Sequence, residues 1–188
     1  NDIIRGGIGN DVVLGDGGRV VRDGSETLKQ VVTIDDLIGG VDTIDGGAGD
    51  DVVIGGAEGD QISALLGNNI ILGDGGEVNV NNPDSNNVFS ILPEVGGADL
   101  IIGGGDGSNI LIGGAGADAL TGGSGDDVVL GDGGFVERDG TEAVVLVRTI
   151  DDAVGGNDAI DGAAGNDVIF GGAADDTITA LQGDNIIL

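Results

Sequence analysis

The sequence has no cysteine, histidine, methionine, tryptophan or tyrosine, and its 3 phenylalanines are the only aromatic residues. Without cysteine there are no disulfides. Without cysteine and histidine, zinc sites and Ser-His or Cys-His nucleophiles are also excluded. Paired carboxylates are the catalytic chemistry left open. No apolar run approaches the roughly 18 residues of a membrane-spanning helix. With so few aromatics, any core must be built from valine, isoleucine, leucine and alanine. Positive charge is nearly missing too: 6 Lys and Arg face 34 Asp and Glu, for a net charge of −28. That sign excludes nucleic acid as a natural partner and sets a compact chain against itself, so a bound cation or polycation is implied. The chain shows no initiator methionine and no secretory leader. It begins and ends inside a pattern, so we expect it to be a window on a longer protein.

Glycine is the abundant residue, 42 of 188. Glycine-rich, highly charged chains are usually disordered. The positive mean hydropathy and the many valines and isoleucines argue against plain disorder, and order that depends on a ligand reconciles the two. Sliding the sequence by 116 residues aligns 1–72 with 117–188 without a gap, and GDGG recurs at 15–18, 73–76 and 131–134. The expected unit is a 58-residue repeat (15–72, 73–130, 131–188) with a 116-residue superperiod.

Inside the unit runs a nine-residue period, clearest in GGAGDDVVI (46–54), GGAEGDQIS (55–63) and ALLGNNIIL (64–72). Position six is Asp or Asn and position eight is aliphatic, matching G-G-x-G-x-D-x-U-x. The sequence thereby resembles the RTX (repeats-in-toxin) calcium-binding proteins, over about two thirds of its length. The resemblance implies a parallel β-roll in which each calcium ion takes aspartate side chains and turn carbonyls from adjacent coils.

The same fold class follows physically: all-β, a parallel β-roll or β-solenoid with two short strands per coil of about 18 residues. Glycine pairs permit tight turns, and stretches such as D-V-V-I supply β-branched strands. Side chains alternate along a strand, so the position-six Asp and the position-eight aliphatic share one face. Val13, Ile44, Val53, Ile62, Ile71, Ile101, Leu111, Leu120, Val129, Ile160, Ile169, Ile178 and Ile187 should point inward. Such an aliphatic stack is too thin to offset chain entropy unaided.

Residues 18 apart fall on the same side of adjacent coils, which places Asp42 beside Asp60, Asp51 beside Asn69, Asp158 beside Asp176, and Asp167 beside Asn185. A one-residue slip near Gly103 pairs Asp99 with Asp118 and Asn109 with Asp127. Two carboxylates about 5 Å apart repel by about 3 kcal/mol at an effective dielectric near 20. A hard divalent cation between them turns repulsion into attraction, and glycine-rich turns offer carbonyls for an all-oxygen shell. Calcium suits such flexible cages better than magnesium. We expect several Ca2+ ions and folding coupled to their binding. The candidate ligands are these twelve residues together with Asp2 and Asp11. A lone Asp at such a position would read as an ordinary turn former; a coil-spaced ladder favours metal. Asp16, Asp74 and Asp132, in GDGG, lie off the nonad register and are candidates for either role. Asp35, Asp36, Asp151 and Asp152 read as turn or solvent residues.

Three insertions, at about 19–36, 77–94 and 135–152, each read strand, polar turn, strand, around RDGSE, NNPDSN and RDGTE. Hairpins extruded from one corner of the solenoid are expected. If an insertion replaced one half-coil, successive hairpins would emerge on opposite sides; if it spanned two, all would share a side. Positions seven and nine should face outward, yet Val12, Leu14, Val52, Ile54, Ile70, Leu72, Ile110, Ile112, Val128, Leu130, Val168 and Phe170 are apolar. Either the hairpins fold back over this stripe, or copies of the chain associate laterally or end to end.

The leading functional expectation is non-enzymatic: a calcium-rigidified segment of a secreted fibre, surface layer or adhesin stalk at the cell surface or beyond it. The alternative is an RTX secretion and folding module for a toxin or hydrolase whose catalytic domain lies elsewhere. A carboxylate enzyme could use Asp45 with Asp50, or Asp175 with Asp176, but such pairs arise freely here and no aromatic platform for sugars exists.

Overall fold

The computed structural model describes residues 1–82, 86–151 and 153–188. The turn reading of Pro83, Asp84, Ser85 and Asp152 lies outside the described residues. Among those residues there is no helix, and the strands form three sheets.

Sheet one is parallel and stacks Ile3–Ile8, Thr43–Ala48, Gln61–Ser63, Leu100–Ile102, Ala119–Gly123, Ala159–Ala163 and Thr177–Thr179. Sheet two, also parallel, stacks Val12–Leu14, Val52–Ile54, Ile70–Leu72, Ile110–Ile112, Val128–Leu130, Val168–Phe170 and Ile186–Ile187. The chain passes from one sheet to the other on every half-coil, as a β-roll does. In-register pairing, such as Ile44 with Ile62 and Leu111 with Ile71, puts like residue on like along each ladder.

Between the two sheets lies a single stack of Val13, Ile44, Val53, Ile62, Ile71, Ile101, Leu111, Leu120, Val129, Ile160 and Ile169. Ile178 packs against it, and Ile187, on the last coil, is half exposed. The alternation of strand faces accounts for every one of these placements.

The insertions do not protrude. Gly18–Arg22 with Leu28–Thr33, Gly76–Asn79 with Asn86–Ser90, and Gly134–Arg138 with Val144–Thr149 are antiparallel hairpins. They pair edge to edge into one continuous sheet. All three therefore emerge on the same side. A coil that carries a hairpin spans 39 or 40 residues between equivalent positions, as from Asp60 to Asp99 and from Asp2 to Asp42, against 18 from Asp42 to Asp60.

The hairpin sheet presents a row of valines, Val20, Val31, Val78, Val88, Val136 and Val147, one from each strand in mutual register. Most of this row packs on the outward stripe of sheet two to make a second apolar layer with Val52, Ile54, Ile70, Leu72, Ile110, Ile112, Val128 and Leu130. The stripe is covered by the chain's own hairpins and gives no reason for a second copy to bind there. The outer face of sheet one lacks this cover: Leu100 and Ile102 are 43% and 42% exposed.

The last glycine of each GDGG is required by this packing. A Cβ on Gly18, Gly76 or Gly134 would fall within about 2.2 Å of Cδ2 of Leu14, Leu72 or Leu130. The strand turns out of sheet two directly beneath that leucine. Val78, fully buried between Val31 and Val88, offers a test of the layer. Val78→Asp would bury an unpaired carboxylate and should cost several kcal/mol. A large fall in melting temperature with new binding of a hydrophobic dye is expected; a change of a degree or two would mean that the hairpins are ornaments.

Candidate metal centre

Each candidate ligand of the nonad register immediately precedes a strand, because the turn hands over to the strand there. Asp2, Asp42, Asp60, Asp99, Asp118, Asp158 and Asp176 stand at the entries to sheet one and form a first ladder. Asp11, Asp51, Asn69, Asn109, Asp127, Asp167 and Asn185 stand at the entries to sheet two and form a second.

In both ladders Oδ1 accepts the main-chain N–H of its counterpart on the preceding coil. In the first, Asp42 N–H donates to Asp60 (2.7 Å), Asp60 to Asp99 (2.6 Å), Asp99 to Asp118 (2.8 Å), Asp118 to Asp158 (2.8 Å) and Asp158 to Asp176 (3.0 Å). In the second, Asp51 donates to Asn69 (3.0 Å), Asn69 to Asn109 (3.0 Å), Asn109 to Asp127 (2.7 Å), Asp127 to Asp167 (3.0 Å) and Asp167 to Asn185 (2.8 Å). Every neighbour expected from the 18-residue spacing and the slip near Gly103 is brought together. Six further steps escaped that spacing because a hairpin lies inside them: Asp2 to Asp42, Asp11 to Asp51, Asp60 to Asp99, Asn69 to Asn109, Asp118 to Asp158 and Asp127 to Asp167. These steps span 39 or 40 residues, so a count of 18 does not reach them.

The second carboxylate oxygen has a different fate. Oδ2 of Asp11, Asp42, Asp51, Asp60, Asp99, Asp118, Asp127, Asp158 and Asp167 is buried and accepts no hydrogen bond. A carboxylate oxygen without a donor is costly to bury, since nothing replaces the water it leaves. These oxygens press on glycines at the turn. A Cβ would come 2.2 Å from Asp60 Oδ2 at Gly55, 2.0 Å from Asp99 Oδ2 at Gly73, and 2.8 Å from Asp51 Oδ2 at Gly46. Any other residue would fill the space beside them.

Burial pushes five of these carboxyl groups well above the usual range. It raises Asp127 to about 6, Asp60 and Asp158 to about 7, Asp118 to about 8 and Asp99 to about 10. At Asp99 the next cause after burial is the charge of Asp74. Hydrogen bonds from the ladder N–H groups act in the opposite direction and do not cancel the effect.

The donor set fits calcium: hard carboxylate oxygens with no lone pair committed, beside turns rich in main-chain oxygen, and no nitrogen or sulfur ligand. Among the described residues no three acidic side chains converge on one point. A cation here would therefore draw on carboxylates from adjoining coils and complete its shell with carbonyls.

The GDGG aspartates behave differently. Asp74 accepts from Gly97 N–H through Oδ1 and from Ala115 N–H through Oδ2; Asp132 does the same with Gly156 and Ala173. Asp16 Oδ2 accepts from Ala57 N–H. Each ties the loop after a hairpin, or the turn of the next coil, to the corner where the hairpin leaves. Asp35 and Asp151, read as turn residues, sit at positive φ of 61° and 58° with their carbonyls accepting from Ile38 and Val154.

One further ladder was not foreseen. At position five, outside the second ladder, Asn10 Oδ1 accepts from Asp50 N–H, Asp50 Oδ1 from Asn68 N–H, and Asn68 Oδ1 from Ser108 N–H. It is exposed. The alternation of Asn and Asp at position five was its only trace in the sequence.

A family model for the RTX calcium-binding nonapeptide repeat (4 copies) matches residues 1–19, 38–71, 54–77, 103–135 and 152–187. No curated protein matches the chain.

Proposed function

The chain belongs to the RTX calcium-binding nonapeptide repeat family, and on that premise we propose that it is a stalk segment of a secreted protein. It serves outside the cell, in a fibre, a surface layer or an adhesin, where calcium holds it rigid. The repeat is a calcium-binding structural module and not a catalytic one. In our reading the 188 residues form one continuous structural solenoid.

The observation that supports the calcium assignment most directly is the run of buried Oδ2 atoms without a donor, repeated from coil to coil at Asp11, Asp42, Asp51, Asp60, Asp99, Asp118, Asp127, Asp158 and Asp167. We assign these aspartates as ligands, with Asp2 and Asp176 continuing the first ladder. Asp16, Asp74 and Asp132 are assigned as clamps for the hairpin corners. Extracellular calcium is millimolar and cytosolic calcium far lower, so such a segment would stay loose until exported and then wind up.

Substitution separates ligands from turn formers. Asp51→Ala and Asp167→Ala should each lower calcium stoichiometry and melting temperature. Asp23 instead accepts hydrogen bonds from Ser25 and Thr27 at a hairpin tip, so Asp23→Ala should loosen that tip and leave stoichiometry unchanged. Equal loss of calcium from all three variants, read by isothermal titration, would refute the assignment.

A further inference from the structure

The two ladders differ in one respect. The first is aspartate throughout, whereas the second carries Asn69, Asn109 and Asn185 among its aspartates. The asparagine side chains occupy the same place as the aspartates. A Cβ on Gly103 would lie 3.1 Å from Asn109 Nδ2, just as one on Gly122 would lie 2.5 Å from Asp127 Oδ2 and one on Gly162 2.6 Å from Asp167 Oδ2. The amide nitrogen thus stands where an aspartate has its donorless oxygen.

What the nitrogen does there is clear from its partners. Asn69 Nδ2 donates to the carbonyls of Gly67 (3.1 Å) and Gly103 (3.1 Å) and approaches Asn109 Oδ1 (3.2 Å). Asn109 Nδ2 donates to Gly107 (3.0 Å) and Gly122 (3.3 Å) and to Asp127 Oδ1 (3.0 Å). Asn185 Nδ2 likewise reaches the carbonyls of Ala180 and Gln182. In each case the amide hydrogens are spent on turn carbonyls, and at Asn69 and Asn109 also on the next rung, the kind of oxygen a cation would gather. No asparagine side-chain atom of this ladder is among the buried groups without a partner, whereas Oδ2 of Asp11, Asp51, Asp127 and Asp167 is.

We propose that the asparagine amide replaces a calcium ion at Asn69 and Asn109, and at Asn185, so that these rungs are closed by hydrogen bonds and bind no metal. The consequence is a lopsided solenoid. The first edge carries an unbroken column of cation sites. The second carries sites on either side of a metal-free pair of coils. This rests on the calcium reading above, because a closed rung has meaning only if the aspartate rungs are open.

The test counts ions. Native mass spectrometry and calcium titration of the parent chain come first; a parent that binds no calcium would sink the calcium reading and this proposal with it, whereas the variants below bear on the proposal alone. Given binding, Asn69→Asp and Asn109→Asp together should add about one ion per substituted rung and reduce β structure in EDTA. Asp51→Asn is the complementary variant, should the first fail to fold. It should lose about one ion while keeping more β structure in EDTA than Asp51→Ala. Unchanged stoichiometry in either variant would overturn the proposal.

Discussion

In EDTA at pH 7.5 the chain is expected to lose most of its β circular dichroism, and to recover it cooperatively on addition of millimolar calcium. The expectation follows from the balance of terms in the fold. A net charge of −28 opposes compaction,, and the first ladder stacks one carboxylate on the next over the full height of the roll. Against this stand two aliphatic layers, with Phe170 the one aromatic ring that packs against either. Each buried Oδ2 adds the cost of a desolvated acceptor,. A divalent cation reverses the sign of these electrostatic terms at once, and because the site exists only when coils are stacked, binding free energy becomes folding free energy. Magnesium, which demands a tighter octahedron and keeps its water, should be a poor substitute. A full β signal in metal-free buffer at this pH would refute the coupling.

Acid should partly replace calcium. In the fold, Asp127 titrates at about 6, Asp60 and Asp158 at about 7, Asp118 at about 8 and Asp99 at about 10, all raised by burial from 3.8. Between the unfolded and folded values the native state holds protons that the unfolded chain has released, so stability falls as pH rises. For the metal-free chain, this contribution is fully present below about pH 4 and is lost in steps as pH climbs through 6 to 10. Circular dichroism in EDTA should therefore show β structure growing as pH is lowered from 8 towards 4. Calcium must displace those protons, so its apparent affinity should rise as pH is raised from about 4 towards 8, with proton release measurable by titration in buffers of different ionisation enthalpy. A metal-free β signal that strengthens with rising pH would contradict the sign of these shifts.

The coil, the inward aliphatic column and the 18-residue ladder steps were all legible in the sequence, because each depends on a local period. One nonad makes one turn and one strand, and alternation of strand faces then dictates which side chains meet. The steps of 39 or 40 residues were not legible in the same way. Asp11 and Asp51 are neighbours only because the chain leaves sheet two, makes a hairpin and returns to the same corner, and nothing local to either residue encodes that return.

Alone, the sequence determined that Asp and Asn would line the rungs and that valine and isoleucine would fill the roll, since strand periodicity needs no long-range information. Only the tertiary structure decided that three hairpins share one side and close over sheet two, because that choice depends on their edges pairing with each other across a long stretch of intervening chain, as Val31 does with Val78 and Val88 with Val136. It likewise decided that Asp74 and Asp132 clamp two loops with both oxygens while Asp60 and Asp99 leave one oxygen free. The same side chain, in the same acidic setting, differs in role according to whether main-chain N–H groups from a distant loop arrive to meet it.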